Sequence, residues 1–273
     1  MGKPLKHVIS ETQKYSELEH ELLTVLNDQS IHTLYQPIIE LDSGNVMGYE
    51  ALTRGPVHSI LHSPLQLFTI ADQFGELHTL ERLAQEKAIL NARLDSMQQL
   101  LFINISSKMI NASELISLKT LEALHSCGYN PHNIVFEITE QSSVDDFAKT
   151  RQFLEYYRNQ GYRIAIDDVG AGYSSINTIA QLCPDYIKFD RSLIQNIHQD
   201  RMKECILEAF VTFTNKMNIS LIAEGIELEE ELIKLVRMGV KYAQGYLLAR
   251  PHQNPSVIPS HIVEIILQNR IIT

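Results

Sequence analysis

The chain has 273 residues, 44% of them hydrophobic, and carries 23 basic against 33 acidic residues for a net charge of −10. That length lies near the ~250 residues of one α/β barrel, and the acidic balance argues against broad adhesion to polymeric nucleic acid or to an anionic membrane. No stretch approaches the ~20 apolar residues needed to span a bilayer, and Cys127, Cys183 and Cys205 form neither a pairing framework nor a CxxC, so a cytoplasmic chain without membrane insertion is expected.

The opening "MGKPLKHVISETQKYSELEH" lacks the apolar core of a secretory signal. Tyr15, Leu18, Leu22 and Leu26 instead recur at spacings of three and four, which predicts an amphipathic helix over 9–28. Residues 1–30 are therefore read as an N-terminal helical segment that covers the barrel's end or meets a partner. "TLYQPIIEL" and "NVMGYEALTRG" follow as two strands joined at "DSGN", a link short enough for an antiparallel hairpin.

A long helical stretch, "LQLFTIADQFGELHTLERLAQEKAILNARL", then leads into the strand "QLLFINIS". From there helix and strand alternate through the strands "NIVFEITE", "YRIAIDD", "DYIKFD", "ISLIAEGI" and "YAQGYLLA". Alternation with strands apolar on both faces predicts a parallel sheet covered by helices. Eight strands without an obvious linker favour one closed barrel over residues 31–251, with 252–273 as a helical extension of the same domain.

In such barrels function collects at the carboxyl ends of the strands. The residues placed there are Glu50, Asn104, Glu137, the adjacent Asp167 and Asp168, Lys188, Glu224 and Gln244. Each alone has a plain structural alternative. The aspartates can begin a turn and cap a short helix; Glu137 or Glu224 can be solvated; Asn104 can serve a turn; Lys188 can pair with Asp190. Taken together, carboxylates converging on one mouth repel one another unless cations or protons compensate, which makes a metal site the economical inference.

Oxygen-only donors suit Mg²⁺ or Mn²⁺. Two such ions ~3.5 to 4 Å apart can stabilise both oxygens of a phosphoryl displacement. Adjacent aspartates fit if the pleat relaxes at the strand end, Asp167 bridging and Asp168 turning to the second ion, with Gly170 and Gly172 easing the chain's departure. "GAGYSS" lacks the third glycine and the lysine of a nucleotide-binding loop.

With these residues assembled, the chain resembles the EAL family of cyclic di-GMP phosphodiesterases, through "YQPI", "GYEALTRGP", "FINIS", "FEITE", "IDDVGAGYSS", "YIKFD", "IAEGIE" and "QGYLLARP" between residues 33 and 251. The resemblance implies a (β/α)₈ TIM-type barrel with an antiparallel first strand, and hydrolysis of cyclic di-GMP to linear pGpG with two Mg²⁺ or Mn²⁺ ions. It implies that Glu50, Asn104, Glu137 and Asp167 hold one ion and that Asp167, Asp168 and Glu224 serve the other. Glu224 is also a proton acceptor in this scheme, and Lys188 orients the water and offsets charge.

By the same matching, Gln244 supports the ligand shell, Arg54 contacts phosphate, Leu52 makes an apolar contact and Gln36 touches substrate. Glu140 anchors the loop carrying "DDVGAGYSS", a loop tied to activity and dimer coupling; Glu227 is a supporting glutamate, and Asp190 a structural or lysine-orienting acid. Val169 and Ala171 depart from the Phe and Thr of many members, which touches loop packing and not ligation. The resemblance also implies a homodimer. With no cyclase or sensory domain recognisable, regulation is expected from dimerisation, an unidentified partner or sequence outside this chain. The different-class alternative is a cyclic di-GMP receptor without appreciable turnover; an unrelated metal-dependent barrel enzyme has only the fold and the acids in its favour.

Overall fold

The computed structural model describes residues 11–94, 98–110, 116–139, 147–171, 175–254 and 257–270. Eight strands close a barrel in sequence order: β1 (His32–Glu40), β2 (Val46–Arg54), β3 (Leu100–Ile105), β4 (Ile134–Thr139), β5 (Arg163–Val169), β6 (Tyr186–Phe189), β7 (Ser220–Ala223) and β8 (Tyr242–Ala243). β1 runs antiparallel to both β2 and β8, and every other neighbouring pair is parallel.

The hairpin explains the reversed first strand. At its turn Gly44, at φ +74°, donates its N–H to Glu40 O at 2.8 Å, and Ser43 Oγ donates to the Glu40 carboxylate at 2.6 Å. A residue with a side chain is disfavoured at that φ. Pairing runs from His32↔Arg54 to Ile39↔Val46, so β2 does not stop at Glu50 as a parallel barrel strand would, but continues to Arg54. "YAQGYLLA" shows the opposite difference. β8 ends at Ala243 because the chain then folds over the loop after β7: Ile226 N–H donates to Gln244 O and Leu247 N–H to Ile226 O. Gly245 lies so close to Ile226 that a Cβ there has no room.

The helices pack outside. α1 (Glu11–Asn27) lies against α2 (Pro64–Gln73) and α3 (Leu77–Asn91), burying Leu22 and Val25 with Leu61, Leu67 and Leu80. Burying one leucine side chain stabilises by about 1.5–3 kcal/mol, which favours the helical register placing Leu22 inward. α4 (Ser107–Ile110) and α5 (Leu118–Cys127) follow β3, α6 (Phe147–Arg158) precedes β5, and α7 (Ser175–Leu182) precedes β6. Then come α8 (Arg191–Ile194), α9 (Arg201–Met217), α10 (Glu229–Arg237) and the final α11 (Ser260–Asn269), which buries Ile262 and Ile266 beside α10. No helix among the described residues is long and apolar enough to cross a membrane.

Inside the barrel, Ile38, Phe102, Val135, Ala165, Tyr186, Ile222 and Tyr242 form one buried layer. Side chains on a strand return to the same face every second residue. Two residues on from that layer stand Asn104, Glu137, Asp167, Lys188, Glu224 and Gln244. On the reversed β1, Gln36 stands two residues before Ile38. The apolar layer is thus the floor on which the polar residues are set.

Candidate active site

Lys188 is the hub. It is 1% exposed, and its Nζ lies 2.8 Å from Glu224, 2.9 Å from Glu137, 3.2 Å from Glu50 and 3.4 Å from Asp167. Asp190 is not among its ion-pair partners: that carboxylate instead accepts from the Ser192 N–H at 2.9 Å and caps α8. Glu50 is held at both oxygens, by Asn104 Nδ2 at 3.1 Å and by Gln244 Nε2 at 2.8 Å. Gln36 sits opposite Glu50 in the hairpin register and donates to Ala249 O at 3.3 Å. Leu52 and Arg54 share a face of β2 with Glu50, and Arg54 donates to Thr53 O at 2.8 Å.

The adjacent aspartates occupy a β-bulge. Ile166 pairs with Ile187 and Val169 with Phe189, so Asp167 and Asp168 together oppose Lys188 alone. A bulge of this kind breaks the strict alternation of faces and re-aims a side chain. Asp168 adopts φ +59°, and its N–H donates to Asp167 Oδ1 at 3.0 Å. Gly170 follows at φ +104°. Relaxation of the pleat, expected from sequence, thus takes the form of one inserted residue in left-handed backbone. Gly172 and Glu140 lie outside the described residues.

The electrostatics follow from too little positive charge. The carboxylates around Lys188 hold its ammonium well above the ordinary lysine pKa, against the burial that lowers it. Glu50 is pushed up by burial, but Lys188, Gln244 and Asn104 pull it net below the usual range. One ammonium cannot serve the rest. Burial, with neighbouring carboxylates adding to it, drives Glu137 and Asp167 upward, and Glu224 to about 8. Asp168 rises to about 6, through burial and then Asp167 and Asp190.

Glu137 also has a buried oxygen, Oε2, without a hydrogen-bond donor. Two groups of acids each bring ligand oxygens within 4.8 Å of one another: Glu50, Glu137 and Asp167, and then Asp167, Asp168 and Glu224. Asp167 belongs to both. An excess of buried carboxylates, an oxygen lacking a donor and an all-oxygen donor set fit hard divalent cations.

Three contributors escaped sequence reasoning. Arg191 pairs with Glu227 at 2.6 Å. Tyr246 lines the same cavity as Arg191, Glu224 and Gln244. Glu231, 1% exposed, accepts from the backbone N–H groups of Asn196 at 2.7 Å, Glu227 at 3.0 Å and Leu228 at 3.1 Å, fixing the loop that carries Glu227. A glutamate three residues into a helix is a known capping signal, but in "ELEEEL" it is hidden among like neighbours.

A closed α/β barrel with an acid-lined mouth defines the class. The family model described as "EAL domain" matches residues 19–251, and the chain belongs to that family. It is 28% identical to the cyclic di-GMP phosphodiesterase RocR of Pseudomonas aeruginosa, over 83% of this chain and 58% of RocR. Among solved structures, the PaMucR phosphodiesterase in complex with c-di-GMP superposes with a TM-score of 0.76 at 28% identity, covering 88% of this chain and 98% of that one. Klebsiella pneumoniae BlrP1, in a complex with manganese and cyclic di-GMP, gives 0.72 at 28% identity, covering 82% and 56%. Across eight of the curated relatives it matches, the chain spans 29% to 58% of their lengths.

Proposed function

We propose that this chain hydrolyses one phosphodiester bond of cyclic di-GMP to give linear pGpG, using two Mg²⁺ or Mn²⁺ ions. The observation that carries the reading is Asp167 standing in both carboxylate groups, the arrangement two neighbouring cations need. Glu50, Asn104, Glu137 and Asp167 would hold one ion, and Asp167, Asp168 and Glu224 the other. When bound, the ions supply Lewis acidity toward the phosphoryl oxygens and neutralise the developing charge.

The chain's own residues do the rest. Lys188 orients the attacking water and offsets negative charge in the transition state from a preorganised, buried position. Glu224, whose metal-free carboxyl is held up at about 8, receives the water's proton at a carboxylate oxygen once deprotonated. Gln244 and Asn104 fix the Glu50 carboxylate. Arg54 binds a substrate phosphate, while Leu52 and Gln36 contact the ligand. Asp190 and Glu227 act through the elements they brace, and the role of Glu140 as anchor of the loop after β5 rests on resemblance alone. Because cyclic di-GMP is an intracellular second messenger, the reading carries a cytoplasmic location with it; the homodimer belongs to the same family resemblance.

The test is incubation of the chain with cyclic di-GMP and Mg²⁺ or Mn²⁺, followed by chromatography. Metal-dependent appearance of pGpG is expected. Saturable binding without product in either metal would make the chain a receptor and sink the hydrolase reading.

A further inference from the structure

The cavity beside Glu224, about 240 Å³, is lined by Gln36, Glu50, Asp190, Glu227 and Tyr246 and, among the described residues, by one cationic side chain, that of Arg191. A cyclic dinucleotide offers two kinds of acceptor to such a cation, its phosphates and its bases. Glu227 already offsets the Arg191 charge and the other charged lining residues, Glu50, Asp190 and Glu224, are acidic like it, which favours the neutral edge of a base over a phosphate. We propose that Arg191 is a specificity residue whose guanidinium donates to the O6 and N7 acceptors of one guanine. The proposal rests on the reading of this site as one for cyclic di-GMP.

The arm is built into position. Arg191 opens α8 immediately after Asp190, and its stem crosses the backbone of Gly225, which stands at φ +70°. A Cβ on Gly225 would come within 2.5 to 2.9 Å of Arg191 Cγ, Cβ and Cδ, so glycine is what lets the arm lie there. At its tip Nη2 meets Glu227 Oε2 at 2.6 Å. The Glu227 backbone N–H is itself held by buried Glu231, so the planar fork is anchored at one edge. A guanidinium has five N–H donors in fixed geometry, and the Arg191 side chain remains 46% exposed.

Guanine presents O6 and N7 side by side, a match for a two-pronged donor, whereas adenine puts an amino donor where O6 would be. An arginine here therefore favours guanine and disfavours adenine. Tyr246, half exposed on the same cavity, adds an aromatic wall beside the base.

The test compares wild type, Arg191→Ala and Arg191→Lys as full chains. It measures kcat and KM for cyclic di-GMP and the inhibition constant of cyclic di-AMP as competitor, with thermal melting as the folding control. Arg191→Ala is expected to raise KM for cyclic di-GMP about 10- to 100-fold, the range for losing one bidentate base contact, with kcat within about twofold and cyclic di-AMP binding no weaker. Arg191→Lys, which keeps the charge and the stem but not the fork, is expected to share the loss. Equal weakening of both dinucleotides would mean a phosphate contact, and an unchanged KM or a wild-type-like lysine variant would also overturn the proposal. Failure of the wild-type chain to bind or cleave cyclic di-GMP at all would instead refute the functional reading on which it stands.

Discussion

Asp168 donates its backbone N–H to Oδ1 of Asp167 at 3.0 Å while holding φ at +59°, so the two acids are locked together by the bulge that places both opposite Lys188. Left-handed backbone is tolerated by Asn and Asp but is a true outlier for a β-branched residue. Asp168→Asn is therefore expected to melt like wild type, whereas Asp168→Val loses about 1–3 kcal/mol. Both remove the carboxylate, and both are expected to lose most of the hydrolysis. Equal stability of the two variants in urea titrations would refute the strained-bulge account.

Lys188 is predicted to matter twice. Lys188→Met leaves several buried carboxylates without their cation, a change that costs about 3–5 kcal/mol in comparable buried pairs. The loss is expected in chelator and is expected to shrink when Mn²⁺ is added, as read by thermal melting. In saturating metal, kcat is expected to fall about 10²- to 10³-fold, the scale for removing one preorganised charge-stabilising group.

Gln244 touches the proposed ions only through Glu50, whose Oε2 it holds at 2.8 Å. Gln244→Ala is expected to weaken Mn²⁺ binding about 10- to 100-fold, the usual effect of losing a hydrogen bond that orients a ligand. Titration calorimetry checks this, and an unchanged affinity would mean that Asn104 and Lys188 suffice to fix Glu50.

Away from the site, Glu81 on α3 is buried, and its Oε2 has no hydrogen-bond partner. Burial pushes its pKa up to about 7, with Ser106 offsetting this only in part. A carboxyl whose folded pKa exceeds its unfolded value of about 4.3 binds more protons when folded. Its contribution is complete below the unfolded value and is lost as pH rises through about 7. The span corresponds to an order of ~3 kcal/mol. Glu81→Gln is accordingly expected to gain stability relative to wild type between pH 5 and pH 8, measured by urea unfolding; a constant difference would show that Glu81 is not buried as an acid.

The barrel was legible because short strands apolar on both faces alternate with helices along the chain. The rule that function collects at the carboxyl ends of barrel strands singled out Asn104, Glu137, Lys188 and Glu224. What escaped depends on long-range contacts. The bulge at Asp167 and Asp168 is defined only by pairing with β6, and the shortness of β8 only by the approach of Gly245 to Ile226. Arg191 carries no signal in the sequence because the residues that hold it, Gly225 and Glu227, stand more than thirty positions away. Glu140 lies outside the described residues, so its assignment still rests on the motif alone.

If Asp167 serves two cations at once, Mn²⁺ stoichiometry reads it out. Equilibrium dialysis followed by metal analysis, in the presence of cyclic di-GMP and at low temperature to slow turnover, is expected to give two Mn²⁺ per wild-type chain. Asp168→Asn is expected to give one and Asp167→Asn close to none. One ion in the wild type, or two retained by Asp167→Asn, would contradict the shared-aspartate site.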